Sequence, residues 1–142
     1  MQKVVIDTNV VVSALISDGI PSKIITDLVF EHQIEIQLSE DVFAEYVNVL
    51  TRPKFRRIPN FQVNAEIVLS RMEELAFKAE PSEKLNIISD ENDNRFLELA
   101  LETNADYLIT GNSNDFTMDK IGKTVILSPA TYWNDHRPKE KM

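Results

Sequence analysis

Cysteine is absent from this 142-residue chain, which excludes disulfides, thiolate zinc sites and cysteine nucleophiles. Glycine and proline are scarce, with three and six residues respectively, too few for a linker-rich or disordered chain. Basic residues are also in deficit, because 15 Lys and Arg against 23 Asp and Glu give a formal net charge of −8. This balance excludes a protein that coats nucleic acid or an acidic membrane by general electrostatic attraction.

Long apolar runs are absent as well. No stretch reaches the roughly 18 apolar residues of a membrane span, so we expect none. Asp7, Thr8 and Asn9 interrupt the first apolar run, a pattern that does not fit a secretory signal, and we therefore expect a cytoplasmic protein. The length predicts a single domain, which we assign to residues 1–133, followed by a charged C-terminal tail at 134–142.

Predicted strands alternate with predicted helices along the chain. This order indicates an α/β fold with three layers, in which helices flank a mostly parallel central sheet. The predicted strands are residues 3–7, 34–38, 87–88, 107–110 and 124–127. The predicted helices are residues 9–16, 21–31, 39–51, a long helix with Val68, Met72, Leu75 and Ala79 on one face, residues 91–103, and a short last helix from Ser128.

Polar residues follow two of the predicted strands. Asp7 ends the first strand, and Thr110 and Asn112 end the 107–110 strand, with Asp115 just beyond. Ligands of open parallel sheets bind outside the carboxyl ends of the strands, so these side chains are candidates for one site. Asp7 by itself is equally well explained as a helix N-cap.

Helix phase adds two further acids. Asp93 precedes Phe96 and Leu97 by three and four positions, which places it on the apolar stripe of its helix, whereas Glu98 is predicted to face away. A first-turn acid that is favoured by the helix dipole is the alternative for Asp93. Glu45 lies at the edge of the apolar stripe of the 39–51 helix, where most acids are simply solvated.

These acids would form one set of hard oxygen ligands, a type that suits Mg²⁺ or Mn²⁺. Neither histidine is placed as a general base, so a site of this kind would activate water and stabilise phosphoryl charge through the metal. The candidate metal ligands and catalytic residues are Asp7, Glu45, Asp93 and Asp115.

Four acidic motifs follow one another along the chain, at residues 4–10, 39–46, 90–100, and 105–112 together with 115–116. Their order and spacing resemble those of the PIN-domain family of metal-dependent ribonucleases, many of which are the toxins of toxin–antitoxin pairs. The resemblance covers residues 3 to 133, nearly the whole chain. One departure is Asn112, where many relatives carry an acid directly after Thr-Gly.

The resemblance implies hydrolysis of RNA phosphodiester bonds, with Asp7 and Asp93 as the main metal ligands. Glu45 would bind a second ion or orient the attacking water, and either Asn112 or Asp115 would complete the site. The supporting residues that it implies are Asn9, Thr110 and Asn112. It also implies a cognate antitoxin protein and a homodimer as partners.

RNA requires cations to meet its phosphates, and the densest basic run of this chain follows the 39–51 helix. Phe55 is interleaved in this run, where it could stack on a base. A solvated loop explains the run equally well. The candidate RNA-binding residues are Arg52, Lys54, Arg56 and Arg57.

Two other function classes remain open on the sequence. An aspartyl-phosphate phosphotransfer enzyme also has an Asp at the end of a strand, but it carries a second acid two residues later, where this chain has Asn9. A catalytically weak PIN-like domain that binds RNA or protein is the other alternative. Asn112 favours it, whereas the intact acids Asp7, Glu45 and Asp93 argue against it.

Overall fold

A six-stranded sheet with the order β3-β2-β1-β4-β6-β5 forms the centre of the fold in this computed structural model. The structure describes residues 1–88, 91–111 and 118–139, with the backbone alone at 91 and 92. Neighbouring strands are parallel except for β5, which pairs antiparallel with β6. The strands are β1 (Lys3–Ile6), β2 (Glu35–Leu38), β3 (Phe77–Lys78), β4 (Tyr107–Ile109), β5 (Lys120–Ile121) and β6 (Thr124–Leu127).

In the described part of the chain, five α-helical segments lie between strands and a sixth follows β6, and two of the six continue as π-helical turns. Ser39 caps the third helix, because its hydroxyl accepts a hydrogen bond from the backbone N–H of Val42 at 3.1 Å. The helices are α1 (Thr8–Ile16), α2 (Ile20–Lys23, continuing as Ile24–Val29), α3 (Glu40–Leu50), α4 (Phe61–Leu75), α5 (Glu91–Thr103) and α6 (Pro129–Thr131, continuing as Tyr132–His136).

Strands β1 and β4 lie in the middle of the sheet and are covered on both faces. Val4, Val5 and Ile6 are fully buried, as are Leu108 and Ile109. Continuous apolar runs of this kind are typical of parallel strands between two helical layers. The predicted α/β architecture with a mostly parallel central sheet is therefore confirmed.

The segment after α4 differs from the prediction. Helix α4 ends at Leu75, and Ala76 has an extended backbone, so Ala79 is not on the helix. Phe77 and Lys78 form β3, which extends the sheet beside β2. A two-residue edge strand is too short to show the alternation of a strand in the sequence. Ala79 happens to fall at the position that the apolar face of the helix would reach if the helix continued.

Two further strand predictions need correction. Residues 87–88 were expected to form a strand, but their backbone N–H groups bind the side chain of Asn94. Strand β5 was not expected, and it pairs with β6 across a tight turn at Gly122, whose φ is +55°. Glycine adopts this left-handed conformation at little cost.

The last helical turn is fastened to the start of the chain. The hydroxyl of Tyr132 donates to the Gln2 side-chain oxygen at 2.6 Å, and the Gln2 amide donates to the carbonyl of His136 at 2.8 Å. Helical backbone thus continues three residues past the predicted domain end at residue 133. Among the described residues, no helix has both the length and the apolar character that a membrane crossing requires.

Candidate active site

Asp7 lies at the carboxyl end of β1, and only 3% of it is exposed. Its backbone N–H donates to the carbonyl of Ile109, and its carboxylate accepts a hydrogen bond of 2.7 Å from the hydroxyl of Thr110. Asp7 occupies the N-cap position of α1, but its side chain makes no capping hydrogen bond. Helix capping therefore does not account for this buried carboxylate.

Tyr46 connects α3 to the same strand end. Its ring is fully buried, and its hydroxyl donates to the carbonyl of Ile6, the residue before Asp7. Burial raises the pKa of Tyr46, and the negative charge of Asp7 raises it further, so the phenol remains a neutral donor. The half-buried Glu45 precedes Tyr46 in the chain, and this anchor therefore holds the helix that carries Glu45 beside Asp7.

Asp93 lies in the first turn of α5 and is half-buried. Helix α5 packs against both β1 and α3, and the ring of Phe96 lies 6.2 Å from the ring of Tyr46. The elements that carry Asp7, Glu45 and Asp93 therefore contact one another. Asn112 and Asp115, the two candidates for completing the site, lie outside the described residues.

The chemistry of these donors fits a hard divalent cation, because carboxylate oxygens are the ligands that Mg²⁺ and Mn²⁺ prefer. Within residues 1–88, 91–111 and 118–139, no three acidic or histidine side chains are already arranged as a complete metal site. The structure thus brings together the elements that hold three carboxylates, and metal binding by them remains a prediction.

Two neighbours of Asp7 differ in their surroundings. The side chain of Thr8 is buried, and its hydroxyl has no hydrogen-bond partner among the described residues. Asn9 lies in the first turn of α1 and is exposed. Thr110, by contrast, is fully buried and contacts the Asp7 carboxylate directly. Of the supporting residues that the structure describes, Thr110 is the one with a visible contact to a candidate ligand.

The basic run forms a 3-10 turn at Pro53–Arg57 rather than an open loop. Phe55 is buried within it and stacks on Phe61 with the ring centroids 4.5 Å apart. The expectation that Phe55 is available to stack on a base is therefore wrong, because its ring belongs to the core. The four candidate RNA-binding residues Arg52, Lys54, Arg56 and Arg57 are all exposed.

Glu98 was predicted to face away from the core, and this prediction is also wrong. Only 3% of Glu98 is exposed, and its carboxylate accepts from the backbone N–H of Leu85 at 2.7 Å while pairing with Arg95 at 3.1 Å. The chain segment 81–88 covers the face of α5 on which Glu98 lies. Apolar spacing alone could not show this second buried face, because its contacts are polar.

We expect Thr110→Val to reduce the free energy of unfolding by about 1–3 kcal/mol, because it removes a hydrogen bond to a buried carboxylate without changing the side-chain shape. Urea denaturation measures the effect, and Thr110→Ser, which keeps the hydroxyl, is the matched control. A Thr110→Val protein as stable as the unchanged chain would show that this hydroxyl does not stabilise Asp7.

Comparisons with known proteins support one family. The PIN domain model matches residues 3–114. An uncharacterized protein from Methanocaldococcus jannaschii is 36% identical over 113 residues, which make up 79% of this chain and 72% of that relative. A chain in the crystal structure of VapBC2 from Rickettsia felis bound to a DNA fragment from their promoter has a similar fold. Its TM-score is 0.60 at 21% identity, over 89% of this chain and 98% of that chain. The residues matched by the PIN domain model include the strand end at Asp7 and the helices that carry Glu45 and Asp93. Because this match covers most of the chain, the chain belongs to the PIN domain family.

Proposed function

We propose that this protein is a Mg²⁺- or Mn²⁺-dependent ribonuclease that hydrolyses RNA phosphodiester bonds in the cytoplasm. The observation that carries the proposal is the buried carboxylate of Asp7 at the carboxyl end of β1. This carboxylate is bound by Thr110, and the anchor at Tyr46 holds α3 against the same strand end. Membership of the PIN domain family supports the same function, because divalent metals are the usual cofactors of PIN-domain nucleases.

The acids have distinct roles in this proposal. Asp7 and Asp93 would hold the metal ion, and Glu45 would bind a second ion or orient the attacking water. Asp115, together with Asn112 and Thr110, would complete the site. A bound divalent ion would lower the pKa of its water and offset the charge that develops on the phosphoryl group.

The rigid surroundings of Asp7 suit this role. Its backbone is fixed by the β1–β4 pairing, and the Thr110 hydroxyl fixes one carboxylate oxygen. A ligand whose orientation is already set loses little freedom when an ion or substrate binds, so the free energy of binding is not spent on ordering the side chain. No histidine is needed as a base in this arrangement.

In this proposal, the basic run that follows α3 supplies positive charge to the RNA strand. Glu45 and Leu50 are five residues apart on α3, about 7.5 Å along a helix axis, and the run begins two residues after Leu50. An RNA strand that is bound at the carboxylates and extends along α3 would meet the basic run. The charge of the run contrasts with the net charge of −8 of the whole chain.

We expect the purified protein to cleave single-stranded RNA when Mn²⁺ or Mg²⁺ is present and to stop when EDTA is added. Asp7→Asn and Asp93→Asn should each lose this activity, because an amide is a weaker ligand for a hard cation than a carboxylate. Asp18→Asn, a change at an exposed acid between α1 and α2, is the control and should cleave normally. Cleavage is measured on a 5′-labelled oligoribonucleotide.

Other outcomes of this experiment would contradict the proposal. Cleavage that persists in Asp93→Asn would show that the site is assigned to the wrong residue. Binding of RNA without cleavage would favour a PIN-like binding domain. A stable phosphoprotein after treatment with acetyl phosphate, with no RNA cleavage, would favour the phosphotransfer alternative.

For the basic run, we expect the double variant Arg56→Ala, Arg57→Ala to bind single-stranded RNA more weakly. The slope of log K against log salt concentration should become shallower by about 1.4, since each lost phosphate contact removes about 0.7. Fluorescence anisotropy with the inactive Asp7→Asn chain as background measures both quantities.

The matched control is Lys120→Ala, Lys123→Ala, which removes the same charge from the β5–β6 hairpin. Lys120 pairs with Val125, and Val125 pairs with Tyr107 at the start of β4. This hairpin therefore lies towards the amino ends of the central strands, whereas Asp7 lies at their carboxyl ends. An equal loss of affinity in both double variants would mean that general charge, and not the basic run, binds the RNA.

We also propose that the protein is the toxin of a toxin–antitoxin pair and forms a homodimer. A groove between α1, α2 and α4, lined by both apolar and polar residues and with a cavity of about 370 Å³, would receive the antitoxin. Ile16 and Ile67 line this groove and are 50% and 53% exposed, and exposed apolar surface of this kind marks interaction sites. The similarity in fold to a VapBC2 chain supports the proposal.

We expect Ile67→Arg to weaken binding of the antitoxin at least tenfold, because it replaces an exposed apolar side chain of the groove with a charged one, while RNA cleavage by the isolated chain is unchanged. The binding partner in this test is the product of the reading frame next to the gene for this chain, and calorimetry measures its affinity. Phe77→Arg, at an equally exposed apolar residue on β3, is the control. Equal affinity of the two variants would rule out the groove as the binding site.

A further inference from the structure

Three side chains of α5 bind the 81–88 segment. Glu102 accepts from the backbone N–H and hydroxyl of Ser82 at 2.8 and 3.0 Å, and Glu98 accepts from the backbone N–H of Leu85. Asn94 contacts the end of the segment. The three residues are spaced by four, so they lie along one face of the helix, and they hold the segment at three successive points.

Asn94 makes the most specific of these contacts. Its side-chain oxygen accepts from the backbone N–H groups of Ile87 and Ile88 at 3.1 and 2.9 Å, and its amide donates to the carbonyl of Ile88 at 2.7 Å. Asn94 is 1% exposed and Ile88 is 5% exposed. Both backbone groups of a buried residue are thereby satisfied by one side chain, as a neighbouring strand would satisfy them.

This contact lies next to Asp93 in the sequence and in the same turn of α5. The first turn of a helix has backbone N–H groups without partners inside the helix, and helix ends are the positions that fray. Three hydrogen bonds between Asn94 and the 81–88 segment prevent this turn from rotating about the helix axis. The direction in which the Asp93 side chain leaves the helix depends on that rotation.

We infer that Asn94 is a positioning residue for the metal site, because its hydrogen bonds with Ile87 and Ile88 set the orientation of the Asp93 carboxylate. This inference rests on the proposed function, in which Asp93 holds the ion. Asn94 itself touches neither metal nor RNA in this role. Glu102, two helical turns farther along α5, holds the same segment but has no part in orienting Asp93.

Mn²⁺ binding measured by electron paramagnetic resonance tests the inference without relying on activity. We expect Asn94→Ala to raise the Mn²⁺ dissociation constant roughly tenfold, the size of effect seen when partners of metal ligands are removed. Glu102→Ala loosens the far end of the 81–88 segment and should stay within about twofold of the unchanged chain. Melting temperatures of both variants separate loss of folding from loss of binding.

Asn94→Asp provides a second test, which can still be measured if Asn94→Ala does not fold. The aspartate can still accept the hydrogen bonds from the backbone N–H groups of Ile87 and Ile88. It cannot donate to the Ile88 carbonyl, and its second carboxylate oxygen is repelled by that carbonyl. Its added negative charge would by itself tighten the binding of a cation. Weaker Mn²⁺ binding by Asn94→Asp is therefore expected from misplacement of Asp93, and equal or tighter binding would contradict the inference.

The outcomes separate this inference from the proposed function. Absence of Mn²⁺ binding in the unchanged chain would contradict both. If the unchanged chain binds Mn²⁺ and Asp93→Asn does not, the metal-ligand role that the proposed function gives to Asp93 stands. Normal Mn²⁺ binding by Asn94→Ala would then overturn the positioning role alone. An equal loss of Mn²⁺ affinity in Asn94→Ala and Glu102→Ala would also contradict the inference, because it would show that the hydrogen bonds of Asn94 only stabilise the 81–88 segment in general.

Discussion

The burial of a carboxylate at the end of β1 is the constraint on which the candidate site depends. An ionised group loses its hydration when it is taken out of water, so its surroundings must supply polar partners. Thr110 provides one of them from the end of the neighbouring strand β4. The pairing of β1 with β4 therefore has two consequences: it closes the centre of the sheet, and it brings a hydroxyl to Asp7.

The helices α3 and α5 are held to this strand end in different ways. Helix α3 is anchored by one buried phenol that donates to the backbone of β1. Helix α5 is packed against the sheet on its apolar side and is bound on another side by the 81–88 segment. A helix restrained on two faces can rotate less than one that packs on a single face. The second restraint on α5 makes the orientation of Asp93 depend on polar contacts that the core alone does not supply.

The distribution of charge is consistent with a negatively charged chain that acts on a negatively charged polymer. Three of the 23 acids are the candidate ligands on elements that meet at one strand end, Asp7, Glu45 and Asp93, and a divalent ion there would offset part of their charge. The basic turn at Pro53–Arg57 presents three exposed cations, and its N-cap Arg52 adds a fourth. Its phenylalanine stacks in the core, which holds the turn in place and leaves the charged side chains at the surface.

Much of the architecture follows from the sequence by itself. Continuous apolar runs identify β1, β4 and β6, the capping serines identify the starts of α3 and α6, and the position of Asp7 follows from the length of its strand. These features are local, since each depends on side chains within one element. The order of the acidic motifs also predicted the family. Asp7, Glu45 and Asp93 were identified as candidates in this way, but their roles as ligands are still proposals.

Only the tertiary structure decided the remaining features, because they depend on contacts between segments that are distant in the chain. Strand β3 exists because β2 offers a free edge, and residues 87–88 are not a strand because a side chain of α5 satisfies their backbone groups. Glu98 is buried and Phe55 is unavailable to RNA for the same reason, since a neighbouring segment covers each of them. Periodicity reports which face of a helix is apolar, whereas the partner that covers a polar face is set by how the whole chain folds.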